Sequence, residues 1–413
     1  MKTIGRSMIK GGTMSIRSKI GITIIVSMGI FLLNWWSSAA IQGQKPAWEG
    51  KIVTENGVKV VKNPAEPLYG EFACQLEEDL SLGDNINDDN YYFPRGVTAL
   101  SVDGDGNIYV SDFGNIRIQM YDKAGKFTRT LGRKGQGPGE FQTPPRKILF
   151  DSKDNLWVFD IPLTLHHFDR DGKFQGQITL KTFIQDYFIS PQGLIFATTR
   201  SLRPEPGGPK ESVVKLDPEG GFVQTVAEFR GELTKSRNAI VWHQYSSLLY
   251  FSPVNTTTFC YGFSMDYRIF IADADGKTIL VIEKEEKPRS ISGKEQAWIK
   301  KNSPILAQQR TPDAKPREEM VFPEHRPYFV GFMADDGGRI YVMRLKSVLD
   351  ESPEFVFDVF SKDGYYIYKM KLPFKPALIK AGFVYEIREE KETGDFKIIR
   401  HKIKNWEQIK EGI

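Results

Sequence analysis

Tyr121-Asp122-Lys123-Ala124-Gly125-Lys126 and Phe168-Asp169-Arg170-Asp171-Gly172-Lys173 are two copies of one short motif that recurs along this chain. Looser copies contain Gly220, Gly276 and Gly364, so the five motif glycines lie 47, 48, 56 and 88 residues apart. In each copy an apolar residue ends one strand, a polar residue, usually Asp, caps the turn, and Gly supplies the positive φ of a hairpin. A period near 48 with one insertion of about 40 residues accounts for all four intervals.

A second hairpin turn recurs upstream of the first in the same period. The segments Asp103 to Val110 and Asp151 to Val158 are offset by 48 residues, and Asp335 to Val342 is a third copy. Two turns per period, separated by short apolar runs, predict four short antiparallel strands per unit. Such a unit is one blade of a β-propeller, so the pattern predicts an all-β fold.

The turns define five blades, and a sixth is assembled from both ends of the chain. The five blades span residues 93–132, 141–182, 183–230, 240–284 and 326–373. Residues 377–402 offer three further strands, and Glu78 to Gly83 resembles the outer strand that ends at Gly132. We therefore predict a six-bladed propeller over residues 72–405, closed by residues 72–82 pairing with the last blade.

The remaining segments do not follow the period. Residues 284–325, between blades four and five, lose the strand alternation and predict a helical and irregular insertion with a helix over residues 292–309. We assign residues 41–71 as a linker, with a strand at Val58 to Lys62, and residues 406–413 as a tail.

Residues 1–40 have the parts of a secretory signal peptide. A basic flank precedes the uncharged run Ile20 to Leu33, and small residues lead to a cleavage site after Ala40. This pattern predicts export to the periplasm or the extracellular space. The apolar run is shorter than the roughly 20 residues of a comfortable membrane span, and an uncleaved anchor at residues 20–36 is the alternative.

The charge balance argues against a nucleic-acid partner. The chain has 56 basic and 52 acidic residues, a formal net charge of +4 over 413 residues, and the two signs are interspersed. Nucleic-acid binding needs a concentrated basic surface, which this distribution does not predict. The two cysteines, Cys74 and Cys260, are expected to be small buried side chains rather than a disulfide.

The first blade has the pattern of a known repeat family. Asn107-Ile108-Tyr109-Val110-Ser111-Asp112, followed by Ile116-Arg117-Ile118-Gln119, resembles the NHL repeat, and the glycine-rich segment Leu131 to Phe141 resembles the inter-blade connection of the same proteins. Over residues 58–405 the chain resembles bacterial exported six-bladed propellers, strongly in the first two blades. The resemblance implies a fold whose members bind proteins, peptides or RNA on one face, and related rings include lactonases and lyases.

Metal-dependent chemistry requires several ligating side chains to converge on the channel axis. The chain has only five histidines, and the neighbours His166 and His167 must point to opposite faces of a strand. We expect no metal, no cofactor and no catalytic residue. The alternative is a lactonase-like, divalent-metal-dependent hydrolase or lyase with calcium or zinc at the channel axis.

Several polar residues repeat at equivalent positions and are expected to be structural. Asp112 and Asp160 follow the same strand in neighbouring blades, which is typical of turn capping. Arg117 recurs as Arg268 on the third strand, and we expect it to make inter-blade hydrogen bonds.

Six side chains at or near the starts of inner strands are the candidate ligand contacts. They are Arg95, Arg146, Gln185, Tyr187, Arg326 and Tyr328. Arginines and aromatics on a concave rim suit an acidic or sugar-like ligand or a peptide, and the alternative is that they are ordinary rim residues. We expect a monomeric, non-catalytic binding propeller that recognises a peptide, glycan or protein partner on the face of the inter-blade loops and the insertion.

Overall fold

The fold was analysed in a computed structural model of the chain. The described residues are 47–161, 163–201, 208–231, 240–304 and 318–412. The predicted signal peptide, residues 1–40, lies outside these ranges. Within them, no helix is long and apolar enough to cross a membrane.

The described ranges contain six antiparallel sheets that meander from an inner to an outer strand, and these are the blades of a propeller. The strands of blades one to three are Val97–Val102, Ile108–Asp112, Arg117–Tyr121 and Phe127–Leu131; Lys147–Phe150, Leu156–Asp160, Thr164–Phe168 and Phe174–Thr179; Asp186–Ile189, Ile195–Arg200, Lys210–Leu216 and Phe222–Arg230.

Blades four to six follow the same order. Their strands are Leu249–Pro253, Thr258–Phe263, Arg268–Asp273 and Thr278–Lys284; Phe329–Ala334, Ile340–Arg344, Phe355–Phe360 and Tyr366–Leu372; Pro376–Lys380, Phe383–Glu389, Phe396–Ile403 and, from the other end of the chain, Leu76–Leu82. First strands of neighbouring blades contact each other around the ring, and an ion pair between Lys147 and Asp186 joins those of blades two and three. The predicted all-β, six-bladed class is confirmed.

The motif glycines lie where one blade meets the previous one. A Cβ added to Gly172 of blade two would come within 2.5 Å of the Leu131 side chain on the outer strand of blade one. The same approach is 2.4 Å between Gly125 and Leu80. Gly172 also has a φ of +76°. Glycine is therefore required both for the turn and for the close approach of two blades.

The amino-terminal segment 51–82, which we call the strap, runs along the outer edges of three blades. Val58–Asn63 pairs parallel with Thr278–Lys284 of blade four and carries the edge strand Lys51–Glu55 beyond it. The predicted strand at Val58 to Lys62 is confirmed, whereas Lys51–Glu55, in the same predicted linker, forms a strand that was not predicted. The partner of Val58–Asn63 in blade four lies more than 200 positions away, and the buried Val60 and Val61 are the local sign of that pairing.

The strap continues onto blades five and six. Glu71–Ala73 pairs parallel with Tyr366–Leu372 of blade five, and Leu76–Leu82 pairs antiparallel with Phe396–Ile403 of blade six. The prediction that residues 72–82 all pair with the last blade is therefore wrong at residues 72 and 73. The chain crosses between the blades at Gln75, whose amide donates to the Asn405 side chain at 3.0 Å.

Within the described residues, the helix of the insertion is shorter than the predicted helix. The helix Gly293–Asn302 begins after the N-cap Ser292, as predicted, and ends at Ser303, whose extended conformation suits a residue that precedes proline. The rest of the predicted helix, from residue 305 on, lies outside the described residues. Ile240–His243 pairs parallel with Glu318–Val321 of the insertion, so blade four begins at residue 249 and not at 240.

Asn63 joins the strap to two blades at once. Its buried amide nitrogen donates to the carbonyl oxygens of Gly364 at 2.8 Å and Glu283 at 3.1 Å. Its side-chain oxygen accepts from the Tyr366 amide at 2.8 Å and from the Trp48 indole at 3.3 Å. A buried side chain that satisfies backbone groups of blades four and five is expected to contribute strongly to stability.

We therefore predict that Asn63→Ala lowers the free energy of unfolding by about 2–4 kcal/mol, because it leaves buried backbone groups of two blades without partners. The measurement is the urea unfolding midpoint and slope of the variant and the wild type. The control is Asn87→Ala, which alters an exposed side chain in an inter-blade connection and should change stability by less than about 0.5 kcal/mol. Equal effects of the two substitutions would contradict the role of Asn63.

Candidate functional site

The two ends of the ring differ in construction. At one end, tight turns join first to second and third to fourth strands; this is the turn face. At the other end lie the connections between blades and those between second and third strands; this is the loop face. The connections between second and third strands are short in blades one, two and four and longer in blades three, five and six, and the insertion and the channel mouth both belong to this face.

The turns of the turn face are closed by their own side chains. Asp103 accepts hydrogen bonds from the amides of Asp105 and Asn107 at 2.9 and 2.8 Å. Asp151 accepts from the amides of Lys153 and Asn155 at 2.8 and 3.0 Å. These aspartate carboxylates are therefore used to close their own turns.

Exposed large apolar side chains are concentrated on the loop face. Among the described residues, seven lie in its connections and four on outer strands or the strap. The seven are Ile86, Phe113, Phe183, Met265, Trp298, Val348 and Leu349. None of the described exposed set lies in a tight turn of the turn face. Apolar side chains gathered on one face are typical of an interaction surface.

The channel encloses a cavity of about 640 Å³ to which all six blades contribute. Its size lies in the range of small-ligand sites, roughly 300–1,000 Å³. Its apolar border includes Leu100, Leu149, Phe332, Met333, Leu378 and Ile387, whereas the side chains of Ile148 and Phe251, which also border it, are buried in the cores between blades. The first strands therefore surround an apolar chamber open to solvent.

The charged residues of the cavity are at the loop-face end. Arg146, Lys147, Asp186 and Lys375 lie at or immediately before the starts of first strands, which is where the chain enters each blade from the loop face. Lys147 and Asp186 form an ion pair. Three cations and one anion leave a formal charge of +2 at the channel mouth.

The insertion is held to the propeller by one buried carboxylate. Glu295 of the helix is 0% exposed and accepts hydrogen bonds from Tyr245 at 2.9 Å, from Ser347 at 2.8 Å and from the guanidinium of Arg326. Burial alone would raise the pKa of Glu295, but these three donors outweigh it and hold that pKa below its ordinary value. The helix is thereby fixed to the loop-face segments that carry Tyr245, Arg326 and Ser347.

A second charged network lies inside the contact between blades four and five. Asp358 is 0% exposed and accepts from Tyr267 at 2.6 Å and Tyr366 at 2.7 Å. Burial would raise its pKa, but the charges of Arg344 and Lys284, 2.9 and 3.0 Å away, outweigh it and lower that pKa. All partners are protein groups, so the network joins the blades.

The histidines and the repeated aspartates have structural partners. His166 is buried with its Nε2 3.2 Å from Asp160, and His167 stacks on Trp157 with ring centroids 4.2 Å apart. Burial lowers the pKa of His167. Over the described ranges, no three His, Cys, Asp or Glu side chains are grouped as metal ligands would be.

The predicted turn-capping role is confirmed for Asp112, whereas Asp160 accepts from the Gln142 amide of the inter-blade connection at 2.9 Å and lies 3.2 Å from His166. Asp112 accepts from the Asn115 amide at 3.1 Å and, at 2.9 Å, from Arg117. Arg117 therefore pairs within its own blade, although it also donates to the Asp89 carbonyl in the connection that enters blade one. Cys74 and Cys260 are free, as predicted, and burial raises the pKa of both thiols to about 12.

The six predicted ligand contacts do not form one site. Arg146 lines the cavity, and Arg95 and Gln185 are exposed on the loop face. Tyr187 is fully buried, and its hydroxyl donates to the Trp157 carbonyl at 3.0 Å. Tyr187 therefore presents no surface to a ligand, which corrects that assignment.

The other two predicted contacts lie at the insertion. The guanidinium of Arg326 is paired with Glu295, and Tyr328 is half-buried with its ring 6.0 Å from that of Tyr267. Sequence reasoning missed Lys147, Asp186 and Lys375. These three residues could have been found from their position at the entry of an inner strand, which is the criterion that selected Arg146.

Comparisons with known proteins agree with this architecture. Residues 100–259 match the model of the family DUF5128, described as a 6-bladed beta-propeller. A search of curated proteins finds no match. A solved structure of a protein from Bacteroides fragilis NCTC 9343, described as exported, is 12% identical, with a TM-score of 0.50, and covers 83% of this chain and 100% of its own. At that identity the likeness shows the fold alone.

Two further solved structures are more distant. A member of the DUF4221 family from Bacteroides vulgatus ATCC 8482 is 14% identical, with a TM-score of 0.48 over 80% of this chain and 98% of its own. Virginiamycin B lyase from Staphylococcus aureus is 11% identical, with a TM-score of 0.39 over 79% of this chain and 99% of its own.

We predict that Glu295→Ala releases the insertion helix while the blades remain folded, because it removes the buried carboxylate and leaves Arg326, whose side chain is 15% exposed, without its partner. Loss of one partner of a buried pair costs about 3–5 kcal/mol. The measurement is amide hydrogen exchange over residues 293–302, which should accelerate. The control is Glu324→Ala, at a side chain that is 88% exposed. The role of Glu295 is refuted if both variants exchange alike.

We also predict a pH dependence with a defined sign. Since the folded pKa of Glu295 lies below its ordinary value, its stabilising effect is complete above about pH 4.3 and is lost as the pH falls through the lower folded pKa. The difference in urea midpoint between wild type and Glu295→Gln should therefore shrink on acidification from pH 7 to pH 3. A difference that stays constant over this range would contradict the prediction.

Proposed function

We propose that this protein is an exported, non-catalytic binding propeller of the NHL-repeat type that holds a peptide, glycan or protein partner on its loop face. The observation that carries the proposal is the contrast between the two faces. One consists of tight turns, whereas the other has the connections between blades, a helical insertion and seven of the eleven exposed large apolar side chains of the described residues.

The composition of the loop face favours a peptide or protein among these partners. Phe113, Phe183 and Trp298 are 42%, 42% and 45% exposed, and each belongs to a different connection. Aromatic side chains are enriched at the centres of protein interfaces because they bury a large area with few rotatable bonds. The insertion helix adds to this surface, and the Glu295 anchor limits the ordering cost of binding.

Export rests mainly on the leader pattern of residues 1–40, with its basic flank, apolar run and small residues before the cleavage site. The Bacteroides fragilis protein of the same fold, which is described as exported, is consistent with it. The NHL type rests on the Asn107 to Asp112 pattern, together with the Asp112 and Arg117 pair that closes the turn between second and third strands.

The alternative of a divalent-metal-dependent hydrolase or lyase has no observation in its favour within the described ranges. The acidic residue at the channel mouth, Asp186, is paired with Lys147, and no cluster of ligating side chains surrounds it. The binding function is supported by the exposed apolar side chains and the insertion of the loop face, so it is the function that we propose.

The proposal predicts that partner contacts are confined to the loop face. A photo-reactive phenylalanine analogue at residue 113 or 183 should give a discrete crosslinked product in an envelope extract. The matched control is the same analogue at residue 222, an exposed phenylalanine on the outer strand of blade three. Crosslinks from position 222 equal to those from 113 and 183, or none from any position, would refute the loop face as the binding surface.

A further inference from the structure

We infer that the central cavity is a binding site for a small amphiphilic anion, a molecule with one carboxylate-like head group on an apolar chain. The head group pairs with Arg146 and Lys375 at the loop-face mouth, and the chain lies in the apolar chamber below. This inference goes beyond the proposed function, since the site lies inside the ring rather than on the surface that contacts a partner.

The cavity has a polar and an apolar end. Because every first strand starts at the loop face and ends at the turn face, position along these strands gives depth in the channel. Lys147 begins its strand, whereas Leu149 lies two residues deeper. Met333 and Pro253 lie at the ends of their strands, next to the turn face. Charged groups therefore lie at the mouth, whereas the deeper lining is mainly apolar, with Ser101 and Ser252 as its polar side chains.

The charge at the mouth is not neutralised by the protein. The Lys147 amine is already paired with Asp186, which also accepts the Tyr187 amide at 2.9 Å. Arg146 and Lys375 are exposed, and within the described residues neither has an acidic partner. Two unpaired cations on one rim attract an anion and provide charge-assisted hydrogen bonds to it.

These cations belong to blades two and six, which flank blade one. Thr98 of blade one lies between them on the cavity wall. Its hydroxyl donates to the Pro145 carbonyl at 2.6 Å, which ties the wall of blade one to the connection that carries Arg146. The rim around the two cations is thus built on rigid inner strands, as a preorganised site requires.

The lower chamber selects an apolar group rather than a polar one. Among its walls, Leu149, Met333 and Leu378 come from three different blades, and Ala334 adds a methyl surface. A fully polar anion, such as inorganic phosphate, would satisfy the mouth but leave these surfaces in contact with water. An amphiphilic anion satisfies both halves, and each buried methylene adds about 0.8 kcal/mol.

The test is titration calorimetry of the folded protein with decanoate, used below its micelle-forming concentration. We expect saturable binding of one decanoate per chain. Hexanoate should bind at least about tenfold more weakly because it buries four fewer methylenes. Decyltrimethylammonium, which has the same chain length and the opposite charge, should also bind at least about tenfold more weakly.

The double variant Arg146→Gln, Lys375→Gln should weaken decanoate binding about tenfold or more, because both head-group partners are lost. Both side chains are exposed, so the variant should fold normally. The control is Lys153→Gln, which removes an exposed cation of the turn face and should leave the affinity unchanged.

Three outcomes would overturn the inference: no decanoate binding to the wild type, equal binding of decanoate and the cationic amphiphile, or an unchanged affinity of the double variant. Photo-crosslinking from residues 113 and 183 is a separate readout. A protein that crosslinks its partner but ignores decanoate would refute the channel site alone, and the reverse result would refute the loop face alone.

Discussion

The contact between a turn glycine and the outer part of the preceding blade is the constraint on which this molecule depends. Gly172 packs against Leu131, and Gly125 against Leu80, so closely that a Cβ at either glycine would displace the leucine side chain. Such contacts bring neighbouring sheets together in the outer part of the ring, while contacts between first strands bring them together at the axis.

That constraint explains what the sequence could predict. Local turn chemistry recurs with a fixed period, so the blades, their strands and their order follow from short motifs such as Asp103 to Asn107. The pairing partners of Val58–Asn63 and of Ile240–His243 cannot be predicted from short motifs, because each of these strands pairs in parallel with a strand far away in the chain. Nothing in a short apolar run identifies a distant partner of that kind.

In the candidate site, too, the local features of single residues were predictable and their contacts with distant residues were not. Position near an inner strand was predictable, but side-chain direction was not, since neighbouring strand residues point to opposite sides. Asp186 therefore lines the channel, whereas Tyr187 is enclosed between blades. Arg326 was correctly placed at the entry of blade five, but its partner Glu295 is on a helix outside the repeat. A repeat-based alignment has no equivalent position for such a residue.

The path of the strap has a consequence for how the chain matures. Residues 58–82 leave the ribosome early, yet their pairing partners in blades four, five and six are synthesised hundreds of residues later; Leu76, for example, pairs with Ile403. The ring therefore cannot finish folding until its last strand exists, and contacts between distant residues form slowly. Under the export that we propose, the chain would therefore enter the translocation pore before its ring had closed.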